Sequence, residues 1–491
     1  MFRVVLIALL SIAIAGPLAP VQVPKTWDDA AVAAFEIPLA DPAASPEHVT
    51  AEYYYAIPAR PIYRSYPVYH PDREPPGYLD RIKQHEPEIA FDPSQLRTDD
   101  DWIQAGKLVF EAPNSFEPVN EASAVRDRSW YDKAGIPIAA DGTVPFFRYV
   151  VRKKGVVERS SSSCAECHTR VMPDGTVLAG AQGNFPFERA GSLTFRGRGT
   201  AAQIRRILRG LYDAPWVKPD PLAPIEQMSL DDLAALGMTI PPGVMARQGA
   251  SPFFPAQVPD LIGVRERRYL DHTGHVRQFG IADLMRYSAA NQGLSALARY
   301  GHFRPVDLET GKLPEASTRS RYSDEQLYAL ALYLYSLQPP RNPNRFDALA
   351  EHGQKIFTRE GCATCHTPPV YTNNMLTPAE GFTPPPEHSS RLDVLAVSVG
   401  TDPGLALRTR RGTGYYKVPS LKGLWYRGPL EHSGSVATLE DWFDPRRLLP
   451  DYVPTGFRGY GVKTRAIPGH RFGLGLSDDE RKALIAFLKT L

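Results

Sequence analysis

Four cysteines in 491 residues are too few for a disulfide framework, and all four fall inside two short motifs, so none is left over to staple the fold. Neither sign of charge dominates. The 56 Lys and Arg stand against 54 Asp and Glu, which excludes the basic field that nucleic acid or an anionic membrane surface would require. No apolar run reaches the roughly 20 residues of a membrane-spanning helix. The run 4–15 comes nearest; it follows Arg3 and ends in the small-x-small pattern Ala13-Ile14-Ala15 before Gly16. Residues 1–15 therefore read as a cleaved signal peptide, with an uncleaved anchor as the alternative, and the chain as periplasmic or secreted. Proline and glycine, by contrast, are plentiful at 47 and 38, which predicts long irregular loops around a centre held by packing.

The cysteines themselves make two copies of one pattern, Cys164-Ala165-Glu166-Cys167-His168 and Cys362-Ala363-Thr364-Cys365-His366. This is the spacing by which a heme is tied through two thioethers while the adjacent histidine ligates its iron. A zinc site is disfavoured, because a Cys-Cys-His triple this close rarely supplies a tetrahedral set, and thioredoxin-like chemistry does not call for histidine after both pairs. Two covalently bound hemes c are the expected cofactors, ligated by His168 and His366. The second face of each iron is open to choice, and that choice separates an electron carrier from an enzyme.

The expected fold class is mainly α, with two c-type cytochrome domains enlarged by long loops and small β-hairpins. After the signal peptide, residues 16–95 form an arm rich in proline and tyrosine. It has no helical period over 38–93 and is expected to run extended, its rings packed into the body or used to dock a partner. An N-terminal heme domain spans 96–340, beginning with a helix over 102–110 and closing with one capped by Ser323. The hairpin over 144–157, the basic helix over 201–211 and a helix over 281–298 interrupted at Asn291-Gln292-Gly293 lie within it. Arg205, Arg206 and Arg209 read as a solvated face, with capture of a heme propionate as the functional alternative. The C-terminal cytochrome c domain spans 341–491, from an opening helix over 346–357 to a last helix over 481–491.

Several segments then point to a family. Gly353-Gln354-Lys355-Ile356-Phe357, the second heme motif, Tyr371-Thr372-Asn373-Asn374, the run 417–424 and the run 432–440 resemble the C-terminal half of bacterial diheme cytochrome c peroxidases and the related methylamine-utilisation enzyme. Those proteins cap the second heme with a methionine or tyrosine, where this chain has Asp441-Trp442-Phe443-Asp444-Pro445. The wide spacing of the motifs and Gly469-His470 are instead similar to the rubber-oxygenase branch. That resemblance implies His470 as distal ligand of the second heme, and the family's histidine-containing stretch implies His432 as a hydrogen-bonding neighbour; Met375 is the runner-up ligand, because cytochromes often use a methionine thioether. No residue has diagnostic spacing for the first heme among His272, His275, His302, Met228, Met238, Met245 and Met285, so its open face is the expected catalytic site. Trp216 and Trp425 are candidates to lie between the hemes.

The function implied is an exported diheme oxidoreductase that activates peroxide or dioxygen, with a small cytochrome or cupredoxin as redox partner and no nucleic acid. The alternative is a carrier or respiratory-complex subunit with two six-coordinate hemes. The same resemblance allows calcium between the domains near residues 424–429, although Arg427 is unfavourable to a cation there.

Overall fold

The computed structural model describes residues 21–196, 199–247, 249–305 and 320–491. The expected signal peptide lies outside them. Each half of the chain is built on one crossed pair of helices. Thr98 starts the helix Asp99–Glu111 with a capping box, its hydroxyl accepting from Asp101 N and the Asp101 carboxylate accepting from Thr98 N. Trp102, Ala105, Val109 and Phe110 then lie on the buried face and meet Leu327, Leu330 and Leu334 of the helix Asp324–Ser336. In the second half, Ala348–Arg359 crosses Asp478–Lys489, which Ser477 and Glu480 cap in the same way.

A glycine sits at each crossing, and for the same reason. A Cβ on Gly106 would lie 2.0 Å from the Ala329 carbonyl oxygen, and one on Gly353 would lie 1.9 Å from that of Ala483. The helices touch backbone to backbone. Gly353→Ala is therefore expected to lower stability by about 1–3 kcal/mol, the range for overpacking a filled core, read as a fall in melting temperature. An unchanged melting temperature would mean that the helices do not approach so closely.

The expected hairpin is present as Thr143–Lys153 and Val156–Ser161, but it belongs to a larger sheet. Ser65–Tyr69 pairs on one side and Ser115–Pro118 on the other, giving four antiparallel strands in the order Ser65–Tyr69, Thr143–Lys153, Val156–Ser161, Ser115–Pro118. Val144, Phe146, Phe147, Tyr149 and Val151 bury one side of it against Trp130, Tyr131 and Phe185. With five further two-stranded sheets, the described chain is 36% helical and 14% strand, so it is a helix-rich mixed fold rather than mainly α.

The arm departs from an extended run. Thr50 caps the helix Ala51–Ala56, which contains Tyr53-Tyr54-Tyr55. Tyr54 is 1% exposed and stacks on Trp27 at 4.6 Å, while the Arg321 guanidinium lies 5.1 and 4.9 Å from the rings of Tyr54 and Tyr55. These aromatics are core of the first half, not a docking surface. The helix Ile281–Leu297 runs on through residues 291–293 without the expected interruption.

Candidate functional site

The second motif is a tight turn. Gly361 takes left-handed backbone at φ 75° to start the 3-10 turn Cys362–Thr364, and His366 N returns to the Cys362 carbonyl at 2.8 Å. The ring is then oriented from behind. His366 Nδ1 bonds the carbonyls of Tyr371 at 3.2 Å and Pro419 at 3.1 Å, which makes Nε2 the nitrogen left to bind a metal. In front of it opens the broadest of the cavities described here, a cleft of about 1390 Å³ counted with its open mouth. Cys362, Cys365 and His366 line one side; Leu424, Leu430, Leu439, Trp442, Phe443, Leu484 and Leu488 supply apolar walls.

His470 lines the opposite side, its ring centroid 6.3 Å from that of His366. A first-row metal bonded to two imidazoles at about 2.0–2.1 Å, with about 1.1 Å from nitrogen to ring centre on each side, separates the centroids by about 6.3 Å. The fit extends to the chemistry of the donor. His470 Nδ1 is buried with no hydrogen-bond partner, and burial, with His366 and Arg447 nearby, pushes the ring down to about 3, so it stays neutral and able to bind metal. Its backbone is left-handed at φ 44°, after Gly469 at φ 78°.

His432 lines the same cavity with both ring nitrogens engaged, Nδ1 by Glu431 and Nε2 by the Tyr416 hydroxyl at 3.1 Å. It is a hydrogen-bonding wall, not a free donor. Met375 is not among the residues lining the cavity.

The first motif forms the helical turn Cys164–Cys167, with Ser163 accepting from Glu166 N. His168 Nδ1 bonds the Pro259 carbonyl at 3.0 Å, as His366 does that of Pro419. None of the four cysteines is in a disulfide, and burial pushes Cys167 up to about 12 and Cys362 up to about 11. Neutral thiols of that kind are poor at disulfide exchange, which needs the thiolate.

The two proline contacts expose an internal repeat that the sequence reading missed. Val258-Pro259, Leu261, Gly263, Leu270, His272, Gly274 and Val276 recur at one constant spacing as Val418-Pro419, Leu421, Gly423, Leu430, His432, Gly434 and Val436. The backbone repeats too: Gly263 and Gly423 have φ 74° and 75°, Asp271 and Glu431 have φ 59° and 69°, and Gly274 and Gly434 have φ 62° and 68°. The copies clasp each other, Lys417 N donating to His272 O at 2.9 Å and Gln257 N to His432 O at 2.8 Å.

The repeat points to a matching space beside Pro259, the proline that holds His168, although Cys164, Cys167 and His168 do not themselves line it. A space of about 530 Å³ is lined by Ala256, Gln257, Pro259, Asp271 and His272, counterparts of Tyr416, Lys417, Pro419, Glu431 and His432 in the larger one. Here the wall is charged. Asp271 accepts from Tyr287 at 2.5 Å and from Arg411 at 3.0 Å, Arg411 also donates to Asn291 at 3.2 Å, and Arg247 lines the same space. The partnered Asp271 carboxyl is held down at about 2 against the opposing cost of burial.

The other candidates disperse. Met245 lines this cavity, Met285 is in the core, His275 pairs with Glu36 at 3.1 Å and His302 is exposed. Met228 and Met238 are half-buried and line none of these cavities. Trp216 stacks on Tyr300 and Trp425 packs on Tyr426, neither lining a cavity described here. Arg205 bonds the Glu226 carbonyl, Arg206 is exposed and Arg209 pairs with Asp213, Asp220 and Glu226, so this helix is a solvated face.

Calcium does not fit residues 424–429. Arg170 donates to Gly428 O at 3.1 Å, Gln182 and Gln257 donate to Pro429 O at 3.0 and 2.6 Å, and Arg427 spans the carbonyls of Ser420 and Lys422. The carbonyls of Gly428 and Pro429 are thus already engaged by side-chain donors. Among the described residues no group of three or more His, Cys, Asp or Glu is arranged to hold an ion.

No family model and no curated protein matches this chain. Solved structures with some likeness include hydrazine synthase of Kuenenia stuttgartiensis, at 16% identity and TM-score 0.28, covering 59% of this chain and 87% of that one. A MauG-like protein associated with microbial copper homeostasis is similar at 18% identity and TM-score 0.22, covering 34% of this chain and 56% of that one. Likeness at these scores carries no weight, and the geometry of the chain carries the functional reading.

Proposed function

We propose that this chain is an exported diheme c-type oxidoreductase with unequal centres, its heme domains spanning residues 96–340 and 341–491. The observation that carries the reading is the His366–His470 pair, spaced for one metal between two imidazoles across an apolar, heme-sized cavity. A heme so held exchanges electrons and takes no substrate. The first site differs in its wall. Cys164, Cys167 and His168 would hold a heme that supplies the redox chemistry, and in the space beside Pro259 the chain would supply Arg411 and Arg247 to stabilise negative charge on a small oxygen-containing ligand, with Asp271 and Asn291 fixing the Arg411 guanidinium in place. Peroxide or dioxygen is the class of ligand that suits such a space, and a small cytochrome or cupredoxin is the proposed electron partner.

Carbon monoxide added to the reduced protein and cyanide to the oxidised protein test the reading. One heme of the two is expected to respond, the other keeping its low-spin spectrum. If neither responds in any redox state, the chain is an electron carrier with two six-coordinate hemes.

A further inference from the structure

A third cavity, about 470 Å³, lies between the two sites and is lined by both Pro259 and Pro419, whose carbonyls hold the two motif histidines. Its charge does not balance. Arg267, Arg427 and Lys417 line it against the single carboxylate of Asp260, which lies 3.9 Å from Arg267 and accepts from the Tyr426 hydroxyl at 3.0 Å. Arg267 also bonds the carbonyl of Ile262 at 2.8 Å, and Arg427 those of Ser420 and Lys422 at 2.9 and 3.1 Å. Carbonyl bonds of this kind do not cancel charge, and among the described residues Arg427 Nε is buried with no partner at all. Lys417 has neither: among the described residues no hydrogen bond or ion pair involves its ammonium, and burial, with Arg267 nearby, pushes it down to about 7 against the attraction of Asp271. Three half-buried cations facing one carboxylate leave an excess of positive charge in a partly dry space, which favours an anion there.

We propose that this cavity is a carboxylate-binding site in which Lys417 is the pairing residue. The inference rests on the diheme reading. Lys417, Arg427, His272 and Gln257 are shared walls of this cavity and of the large one at Cys362, so the carboxylate has two sources: a propionate of the heme seated there, or a free carboxylate from solution. The repeat makes the charge one-sided, since the counterpart of Lys417 is the neutral Gln257. A positive charge beside a heme disfavours its ferric state. Removing it lowers that heme's reduction potential.

The test is a spectroelectrochemical titration of the full diheme protein, wild type against Lys417→Met and Lys417→Arg, with and without added formate. Lys417→Met is expected to shift the second heme to lower potential, with the first moving less and Lys417→Arg staying near wild type. If the wild-type potential ignores formate, the bound group is a propionate; if it moves with formate and Lys417→Met abolishes the movement, the group is a free carboxylate. Two hemes with low-spin second-site spectra and a potential unmoved by Lys417→Met overturn the proposal alone. A preparation that carries no covalent heme overturns the diheme reading and this inference with it.

Discussion

Replacing His470 with alanine is expected to turn the second heme from low-spin to high-spin and open it to carbon monoxide and cyanide, leaving the first heme's spectrum unchanged. The expectation rests on one distance and one unmet need. The His366 and His470 rings stand 6.3 Å apart across the cavity, and His470 Nδ1 has no hydrogen-bond partner among the described residues. Burying an unpaired polar nitrogen is unfavourable unless something outside the chain bonds the ring. His432 cannot take over, because Glu431 and Tyr416 hold both of its nitrogens. Trp442 lies 5.2 Å from the His470 ring and has no ligating atom to offer. Added imidazole is expected to enter the vacated space and restore the low-spin spectrum, which separates lost ligation from a damaged fold. A low-spin spectrum unchanged in His470→Ala would remove His470 from the site.

How much of this could be read beforehand depends on whether the signal is local. The two Cys-x-x-Cys-His turns and the capped helices are specified by adjacent residues, and the sequence reading placed them to within a few positions. The sheet was half legible. Its hairpin carries its own turn at Gly155, but the outer strands Ser65–Tyr69 and Ser115–Pro118 come from distant segments whose pairing no local pattern announces. Tyr53-Tyr54-Tyr55 looked extended because a single turn and a half of helix is too short to show a period; Thr50 capping and burial of Tyr54 against Trp27 decide it.

The internal repeat was written in the chain and overlooked for a physical reason. His168 stands 91 residues before its proline and His366 only 53, so insertions separate the first motif from its matching loop. Comparing the chain with itself, instead of searching near each motif, finds it. The gathered cations are a different case. Arg267 and Arg427 lie on loops and Lys417 ends the short strand Tyr415–Lys417, and only the fold brings them to one cavity; the helix with a visible arginine stripe is on the surface.

Arg447→Met is expected to release His470 without touching it. Arg447 is fully buried and pairs with no carboxylate, yet it is saturated: Nε donates to Trp442 O at 2.8 Å, Nη1 to Ile467 O at 2.7 Å and Gly469 O at 3.0 Å, Nη2 to Gly469 O at 3.0 Å and His470 O at 2.8 Å. Its guanidinium also lies 4.7 Å from the Trp442 ring, which itself contacts His470. These bonds hold a loop that does not favour its own shape. His470 is left-handed, a conformation that costs a non-glycine residue about 1–3 kcal/mol, and Gly469 is pressed so close to Gly400 that a Cβ there would meet its carbonyl carbon at 2.3 Å. Methionine fills similar space but donates nothing, stranding the carbonyls of Ile467, Gly469 and His470. Each carbonyl left buried without a partner costs about 1–3 kcal/mol. The strained loop is then free to relax and carry the imidazole away. A second heme shifted partly or wholly to high-spin, recovered by added imidazole, with the first heme unaltered, is the expected signature. A fall in melting temperature with the second heme still fully low-spin would show that Arg447 stabilises the fold and does not position the ligand.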